Sequence, residues 1–226
     1  MSRAIVNVAV DRWFPRGQAR LAGTLKLFAQ TARFLPWCGE YPAGSPTHAE
    51  APYAFKTFAI ESARQAGYDS VLWLDASMWA TRSLEPLWEE LEEHGTIFWR
   101  SGFALGHYAT DDALDILGTD RDKAMGISLV AGGIYGLDFR HERAQDIQDL
   151  MLMYARRQEI FRGSWDNTRQ QCSKDPRCLG HRHDMVPLSA LAYSELAHVV
   201  NAPRLWALST DDCPSHPDAV IVARGM

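Results

Sequence analysis

Two short polar segments contain side chains whose types and spacing could perform chemistry. In the first, the apolar run 71–74 ends on Asp75, and Ser77 follows two residues later. The second is the segment 181–184, His-Arg-His-Asp, which directly precedes the apolar stretch 185–196. Carboxylate oxygens suit Mg²⁺ or Mn²⁺, and a histidine can join them around Mn²⁺. The predicted metal ligands are Asp75, Ser77, His181 and His183.

Each of these side chains also has a simpler structural explanation. Asp75 could cap the turn after its strand, and Asp184 could cap the helix that follows it, where a carboxylate is favoured. His181 and His183 are two residues apart, so they face the same side only in an extended segment. Two structural histidines are therefore an alternative to a metal ligand.

Basic side chains near these segments could bind phosphate. Lys56 falls in the first turn of a predicted helix, where the helix dipole disfavours a positive charge. Phosphate binding would explain this position, whereas the alternative is a solvated surface lysine. Together with Arg177 and Arg182, Lys56 could neutralise a diphosphate leaving group, as a bridging divalent ion could.

Two further features mark strand ends or interruptions that a ligand could approach. Asp11 follows the apolar run 4–10, where it is either a turn residue or a nucleotide contact. Gly132 and Gly133 interrupt the apolar run 127–139. Adjacent glycines in a strand indicate a bulge or the close approach of another group, such as a sugar ring, to the backbone.

The surrounding pattern alternates strands and helices, which predicts an α/β fold. The segment 39–52 has no periodicity and is predicted to be a loop without chemical function. No linker or repeat divides the chain, so residues 1–226 are expected to form a single domain. Helices are predicted over 18–34, 52–66, 84–93, 111–117, 120–125, 142–161 and 185–196, and strands over 4–10, 71–74, 96–99, 127–139, 199–200 and 220–223.

Composition excludes several classes of protein. The net charge of −5 and the pI near 5.9 argue against binding that depends on neutralising nucleic-acid phosphates. The start of the chain lacks a signal-peptide layout, and no apolar run approaches the roughly 18 residues needed to span a bilayer, so a cytoplasmic location is expected.

The eight tryptophans are a high number for 226 residues, and some are expected to line a cleft. P-loop, dinucleotide-binding, serine-hydrolase and zincin motifs do not occur.

The order of these features resembles the nucleotide-diphospho-sugar transferases of the GT-A fold. In that superfamily a DxD motif at the end of a buried strand holds a metal ion and the diphosphate of the donor. Asp75 matches the first Asp of the motif, while Ser77 stands in place of the second. Lys56 resembles the basic residue that precedes the motif by one helix and strand.

The second half of the chain continues the resemblance through about residue 196. The segment 130–136 is similar to the family strand that passes the donor sugar and the acceptor. Asp184 resembles the Asp of a late Asp-Gln pair, although Met185 replaces the Gln. The resemblance implies one GT-A-like nucleotide-sugar-binding domain with a mixed, mostly parallel central sheet flanked by helices.

By this resemblance the chain would be a glycosyltransferase that moves a sugar from a nucleotide-diphosphate donor to a hydroxyl acceptor with Mn²⁺ or Mg²⁺. Asp184 and Asp75 would be catalytic, with Asp184 orienting the sugar or acting as base. One alternative is a GT-A-like protein that binds carbohydrate or nucleotide without turnover. Another is a transferase acting on modified DNA bases, against which the acidic pI argues. The predicted donor-binding residues are Asp11, Lys56, Asp75, Ser77, Gly132, Gly133 and Arg182.

Overall fold

The structure, a computed structural model, describes residues 1–200, 205–210, 213–214 and 219–224. None of the helices in these ranges is long and apolar enough to cross a bilayer. The helices are α1 (Phe14–Phe28), α2 (Phe55–Gln65), α3 (Glu85–His94), α4 (Asp111–Ile116), α5 (Arg121–Ala124), α6 (Glu142–Arg157) and α7 (Met185–Ser194). The strands are β1 (Arg3–Ala9), β2 (Arg33–Cys38), β3 (Ser70–Leu74), β4 (Met78–Ala80), β5 (Thr96–Ala104), β6 (Ser128–Val130), β7 (Ile134–Asp138), β8 (Val199–Val200), β9 (Trp206–Thr210), β10 (Cys213–Pro214) and β11 (Ile221–Arg224).

A seven-stranded sheet with the order β2-β1-β3-β7-β5-β6 forms the centre, and β8 pairs with β5. β1 is parallel to β2 and β3, and β8 is parallel to β5. β7 runs antiparallel to β3 and β5, and β6 runs antiparallel to β5. Five strands therefore point one way and two the other, which confirms the predicted mixed, mostly parallel α/β sheet. A smaller sheet has the order β10-β9-β11-β4.

Helices cover both faces of the central sheet, and this explains why its first strand is almost wholly apolar. Ala4 and Val6 point to the core formed with α2, α6 and α7, whereas Ile5 points to the core formed with α1 and α3. Neighbouring residues of a strand face opposite sides of the sheet. A strand that is buried on both sides therefore has apolar side chains at most positions and does not alternate apolar with polar residues. The two cores hold β1 and β3 rigidly beside each other.

The predicted helix over 18–34 is wrong in its bounds. α1 begins at Phe14, with Pro15 in its first turn, and ends at Phe28, while Arg33–Cys38 forms β2. Proline is tolerated in a first helical turn because its missing N–H would have no intrahelical partner there. Pro36 is tolerated in β2 because, within the described part of the chain, β2 is an edge strand that pairs with β1 alone.

One other predicted segment differs from the observed elements, and some observed strands have no predicted counterpart. The run 127–139 is two strands, β6 and β7, and the glycine pair lies in the connection between them rather than inside a strand. The sequence pattern does not predict β9 or β4. β9 pairs with β11, which matches the predicted strand 220–223 to within one residue at each end.

Gly17 sets the approach of α1 to the turn that follows β3. A Cβ atom at position 17 would lie 2.2 Å from the carbonyl oxygen of Ala76, closer than any side chain could pack. Arg20, one turn later, donates from Nη2 to the carbonyl oxygen of Ser77 at 2.8 Å. The position of the residues after β3 therefore depends on α1.

Gly17→Ala is expected to lower the free energy of unfolding by about 1–3 kcal/mol because α1 must move away from Ala76. Gly23→Ala is the matched control, since Gly23 lies in the same helix and a Cβ atom added there would have no neighbouring atom within 4 Å. The control should raise the free energy of unfolding by about 0.5–1 kcal/mol through helix propensity. Urea denaturation measures the free energy of unfolding of both variants. Changes of the same sign would contradict the close approach of Gly17 to Ala76 as the cause.

Candidate functional site

A cleft of about 440 Å³ lies at the carboxyl ends of β1 and β3. Strand ends are where ligands bind in open α/β sheets. The structure brings most of the predicted site residues together in the lining of this one cleft, and they come from the ends of four elements and from the loops between them. The predicted residues that line it are Asp11, Lys56, Asp75, Ser77, Gly132, Gly133, Arg182, His183 and Asp184.

Lys56 lies at the centre of the charged part of the cleft. Its Nζ is 3.2 Å from Oδ1 of Asp75 and 3.0 Å from Oδ2 of Asp184, and it donates to the carbonyl oxygen of Gly132 at 2.8 Å. The lysine is only 3% exposed, which rules out a solvated surface lysine. Burial acts to lower the pKa of Lys56, but the charges of Asp184 and Asp75 outweigh burial and raise that pKa above its ordinary value.

Asp75 is the more accessible of the two carboxylates, with one third of its side chain (33%) exposed. Its Oδ1 accepts a hydrogen bond from Nε1 of Trp73 at 2.8 Å and contacts Lys56, while Oδ2 lies beside Gly133. Burial and the charge of Asp184 raise the pKa of Asp75, and Lys56 opposes this shift. One oxygen of Asp75 is thus held by the protein, and the carboxylate faces the cleft.

Asp184 precedes α7, but its side chain accepts no capping hydrogen bond from the helix. Its carboxylate is 8% exposed and pairs with Lys56 instead, so the capping explanation for Asp184 is wrong. A Cβ atom at position 132 would lie 2.6 Å from Oδ2 of Asp184. At position 133 it would lie 3.2 Å from Oδ2 of Asp75. The two glycines therefore leave room for the two carboxylates.

The two histidines of the second polar segment have different environments. His181 is fully buried, and its Nδ1 accepts from the backbone N–H of Thr110 at 3.3 Å. Its Nε2 is 3.0 Å from the carbonyl oxygen of Ile160 and must be the donor there. Burial lowers the pKa of His181 to about 3. Because both ring nitrogens have backbone partners, the structure corrects the assignment of His181 as a metal ligand.

His183, by contrast, lines the cleft. Its Nδ1 is 2.9 Å from the carbonyl oxygen of Phe161, and a carbonyl can only accept, so Nδ1 carries the proton. Burial lowers the pKa of His183, which keeps the ring neutral at pH 7 and leaves Nε2 unprotonated. The ring packs against those of Tyr53 and Trp165, with centroid distances of 5.6 and 5.8 Å.

Of the two arginines predicted to contact phosphate, one lines the cleft and the other does not. Arg182 lines the cleft, where its guanidinium stacks on the rings of Trp165 and Tyr108 at 3.8 and 4.1 Å from their centroids. Arg177 does not line the cleft and instead pairs with Asp175 and Asp122, each at 2.7 Å. Arg177 is therefore excluded from the phosphate-binding residues suggested by the sequence.

An aromatic wall, defined here as Tyr41, His48, Tyr53 and Trp165, forms part of the lining of the cleft. The sequence pattern assigns no chemistry to the loop 39–52, so it misses Tyr41 and His48. The only sequence signal is the abundance of tryptophan, and Trp13, Trp73 and Trp165 do line the cleft. Flat aromatic faces flanking a polar centre suit a ligand that has both a ring and charged groups.

The cleft residues can be tested for their fit to a divalent ion. Asp75 offers a carboxylate, and Ser77 lies two residues later in the same lining. Mg²⁺ is commonly held by one or two protein carboxylates together with phosphate oxygens and water. The donor set therefore fits an ion that binds together with a diphosphate. Elsewhere in the described ranges, Glu90, His94 and His198 also form a possible metal site, which does not line this cleft.

No protein-family model matches the chain. No curated protein matches it either. Among solved structures, a glycosyltransferase involved in the glycosylation of the major capsid of PBCV-1 is similar, with a TM-score of 0.55 and 12% identity over 99% of this chain and 92% of that one. The apo structure of the bifunctional glycosyltransferase WbbM is similar over 98% of this chain and 45% of its own, with a TM-score of 0.56 and 10% identity. At such identities the likeness shows a shared fold, and it confirms the predicted GT-A-like architecture.

Proposed function

We propose that the chain is a glycosyltransferase that moves a sugar from a nucleotide-diphosphate donor to a hydroxyl acceptor in this cleft. The observation that carries the proposal is the contact of Asp75 and Asp184 with the buried Lys56 at the carboxyl ends of the central strands. The two similar structures are those of glycosyltransferases. They share the fold of this chain at 12% and 10% identity, so the likeness supports the proposal but does not assign the activity.

The charges of the cleft support binding of a divalent ion together with the donor. Lys56 contributes one positive charge and the two aspartates contribute two negative charges, so the three residues together are net negative. A diphosphate would be repelled by this group alone. A Mg²⁺ or Mn²⁺ ion held by Asp75 and Ser77 would reverse the local sign and neutralise charge on the leaving diphosphate. Arg12 and Arg182, which line the same cleft, add positive charge.

The role of Lys56 is then to hold the two carboxylates rather than to bind phosphate. Its three contacts point Asp184 toward Gly132 and Asp75 toward Gly133, and its burial prevents water from separating the pairs. Asp184 orients a hydroxyl of the donor sugar beside the glycines. The aromatic wall and Asp11, which lies two residues after β1, receive the rings of the donor and the acceptor.

Calorimetry with a panel of nucleotide-diphosphate sugars tests this proposal. We expect one nucleotide class to bind, with an affinity at least about 10-fold higher in Mn²⁺ than in EDTA because the net-negative centre must be neutralised. Nucleotide release should accompany binding when a suitable hydroxyl acceptor is present. Binding without nucleotide release across a broad acceptor panel that includes modified DNA would instead support the non-catalytic alternative. The absence of binding to every donor would reject both.

A further inference from the structure

A cluster of side chains of the types that bind metal ions lies outside the cleft, in partly exposed positions. Glu90 and His94 are one turn apart on α3, and His198 immediately precedes β8. Oε2 of Glu90 is 3.0 Å from Nε2 of His198 and 3.7 Å from Nε2 of His94. The three side chains are 29–36% exposed, so an ion could reach them from solvent. None of them lines the cleft.

Two of the three separations between the ligand atoms are close to those around a small tetrahedral ion, and all three atoms lie within 4.8 Å of one another. Zn²⁺ binds histidine nitrogen and carboxylate oxygen at about 2.0–2.2 Å, which places neighbouring ligands of a tetrahedral site about 3.3–3.5 Å apart. The observed distances of 3.0 and 3.7 Å lie on either side of this value. The two imidazole rings are stacked, with centroids 3.8 Å apart and planes at 30°. Both Nε2 atoms lie near the same carboxylate oxygen of Glu90.

The backbone holds these side chains on rigid elements. His198 donates from its N–H to Oγ1 of Thr96 at 3.1 Å, and its carbonyl oxygen accepts from the N–H of Phe98 at 3.1 Å. α3 is anchored by the fully buried side chains of Leu87 and Trp88. A site whose ligands come from a packed helix and a paired strand needs little rearrangement to accept an ion.

We propose that Glu90, His94 and His198 bind a divalent transition-metal ion, with Zn²⁺ the best match, and that the ion ties the end of α3 to β8. Two imidazoles and one carboxylate favour Zn²⁺ over Mg²⁺ or Ca²⁺, which prefer oxygen ligands. Water or another ligand would occupy the fourth position. This ion is separate from the one proposed for the cleft, and it does not depend on the proposed transferase activity. Because it would bind the folded chain, it should stabilise that state.

Titration of the full chain, free of any histidine tag, with ZnCl₂ tests the proposal by calorimetry and by thermal unfolding. We expect the parent to bind Zn²⁺ and to unfold at a higher temperature when Zn²⁺ is present. Glu90→Gln should weaken this binding by at least about 10-fold, the smallest loss usual for removing even an outer-shell partner of a metal ligand, and remove most of the thermal shift. His198→Gln should do the same. Glu89→Gln is the matched control, because Glu89 is the exposed neighbour of Glu90 on α3 and does not belong to the cluster.

The comparison of Glu90→Gln with Glu89→Gln also separates this site from the cleft, since a second Zn²⁺ bound near Asp75 would persist in both variants. Loss of one bound equivalent in Glu90→Gln alone supports the proposal. Equal Zn²⁺ binding by the parent and both variants would overturn it. Failure of the parent to bind Zn²⁺ would overturn it as well.

Discussion

Asp75→Asn is expected to reduce turnover of a nucleotide-sugar donor by roughly 100-fold or more, the scale seen when one electrostatic contact to the leaving group is removed. The substitution keeps the shape of the side chain and an oxygen that can accept from Trp73. It removes the negative charge that would hold the divalent ion. The donor affinity measured with Mn²⁺ should therefore fall toward the value measured in EDTA.

Asp69→Asn is the control for this prediction, because Asp69 and Asp75 flank the same strand, β3, at its two ends. Asp69 accepts from the N–H of Ser2 at 2.8 Å, and it does not line the cleft. Its variant should retain parental turnover, measured as nucleotide release. Asp75→Asn should remain folded, since Lys56 keeps Asp184 and the carbonyl oxygen of Gly132. Parental turnover in Asp75→Asn would remove Asp75 from the proposed mechanism.

Lys56→Met is expected to lower the free energy of unfolding by about 3–5 kcal/mol at pH 7, the usual cost of removing one partner of a buried ion pair. The side chain of Lys56 is 4% exposed, so water has little access to the position of its ammonium group and cannot stabilise the two carboxylates in its place. Asp75 and Asp184 would then lose their shared cation. Urea denaturation measures the change. Lys26→Met is the control, because Lys26 is exposed on α1, and it should change stability by less than about 0.5 kcal/mol.

The deficit of Lys56→Met should shrink as the pH falls from 7 toward 4. Burial already raises the pKa of Asp75, and Lys56 opposes that shift, so removing the lysine raises the pKa further. A carboxyl group with a raised folded-state pKa contributes stability below its unfolded pKa of about 3.9 and loses it as the pH rises through the folded value. A deficit that grows on acidification would contradict this electrostatic explanation.

A double variant completes this test. Lys56→Met combined with Asp75→Asn removes the cation and one of its anions, so fewer uncompensated charges remain buried than in Lys56→Met alone. The double variant should recover part of the lost stability. Strictly additive losses would show that Lys56 and Asp75 do not interact in the folded chain.

The sequence alone determined the kind of fold and the location of the first carboxylate. Apolar runs buried on both faces identified β1 and β3, and the abrupt change to Asp75 identified the strand end. Helical spacing located most of the helices. These patterns are local, because they arise from which faces of an element contact the core, and they could therefore be interpreted without knowing the neighbours.

Tertiary structure decided which of the candidate groups meet. Lys56 could have been a surface lysine, but the parallel pairing of β1 with β3 and the packing of α2 bring its ammonium group to Asp75 and Asp184. His181 and His183 are two residues apart, yet their rings have different backbone partners on distant segments. Among the residues that the structure describes, such partners occupy both nitrogens of His181 and Nδ1 alone of His183. The segment 33–38 forms a strand because its backbone pairs with the edge of β1.

Glu90, His94 and His198 show the same limit of sequence-based prediction. The i, i+4 spacing of Glu90 and His94 is visible in the sequence, but His198 is separated from them by more than 100 residues and joins them only through the pairing of β8 with β5. Residue types and spacing thus determined what chemistry the chain could support at Asp75. Contacts between distant segments decided which charges neutralise each other there, because electrostatic partners are set by distance in space rather than along the chain.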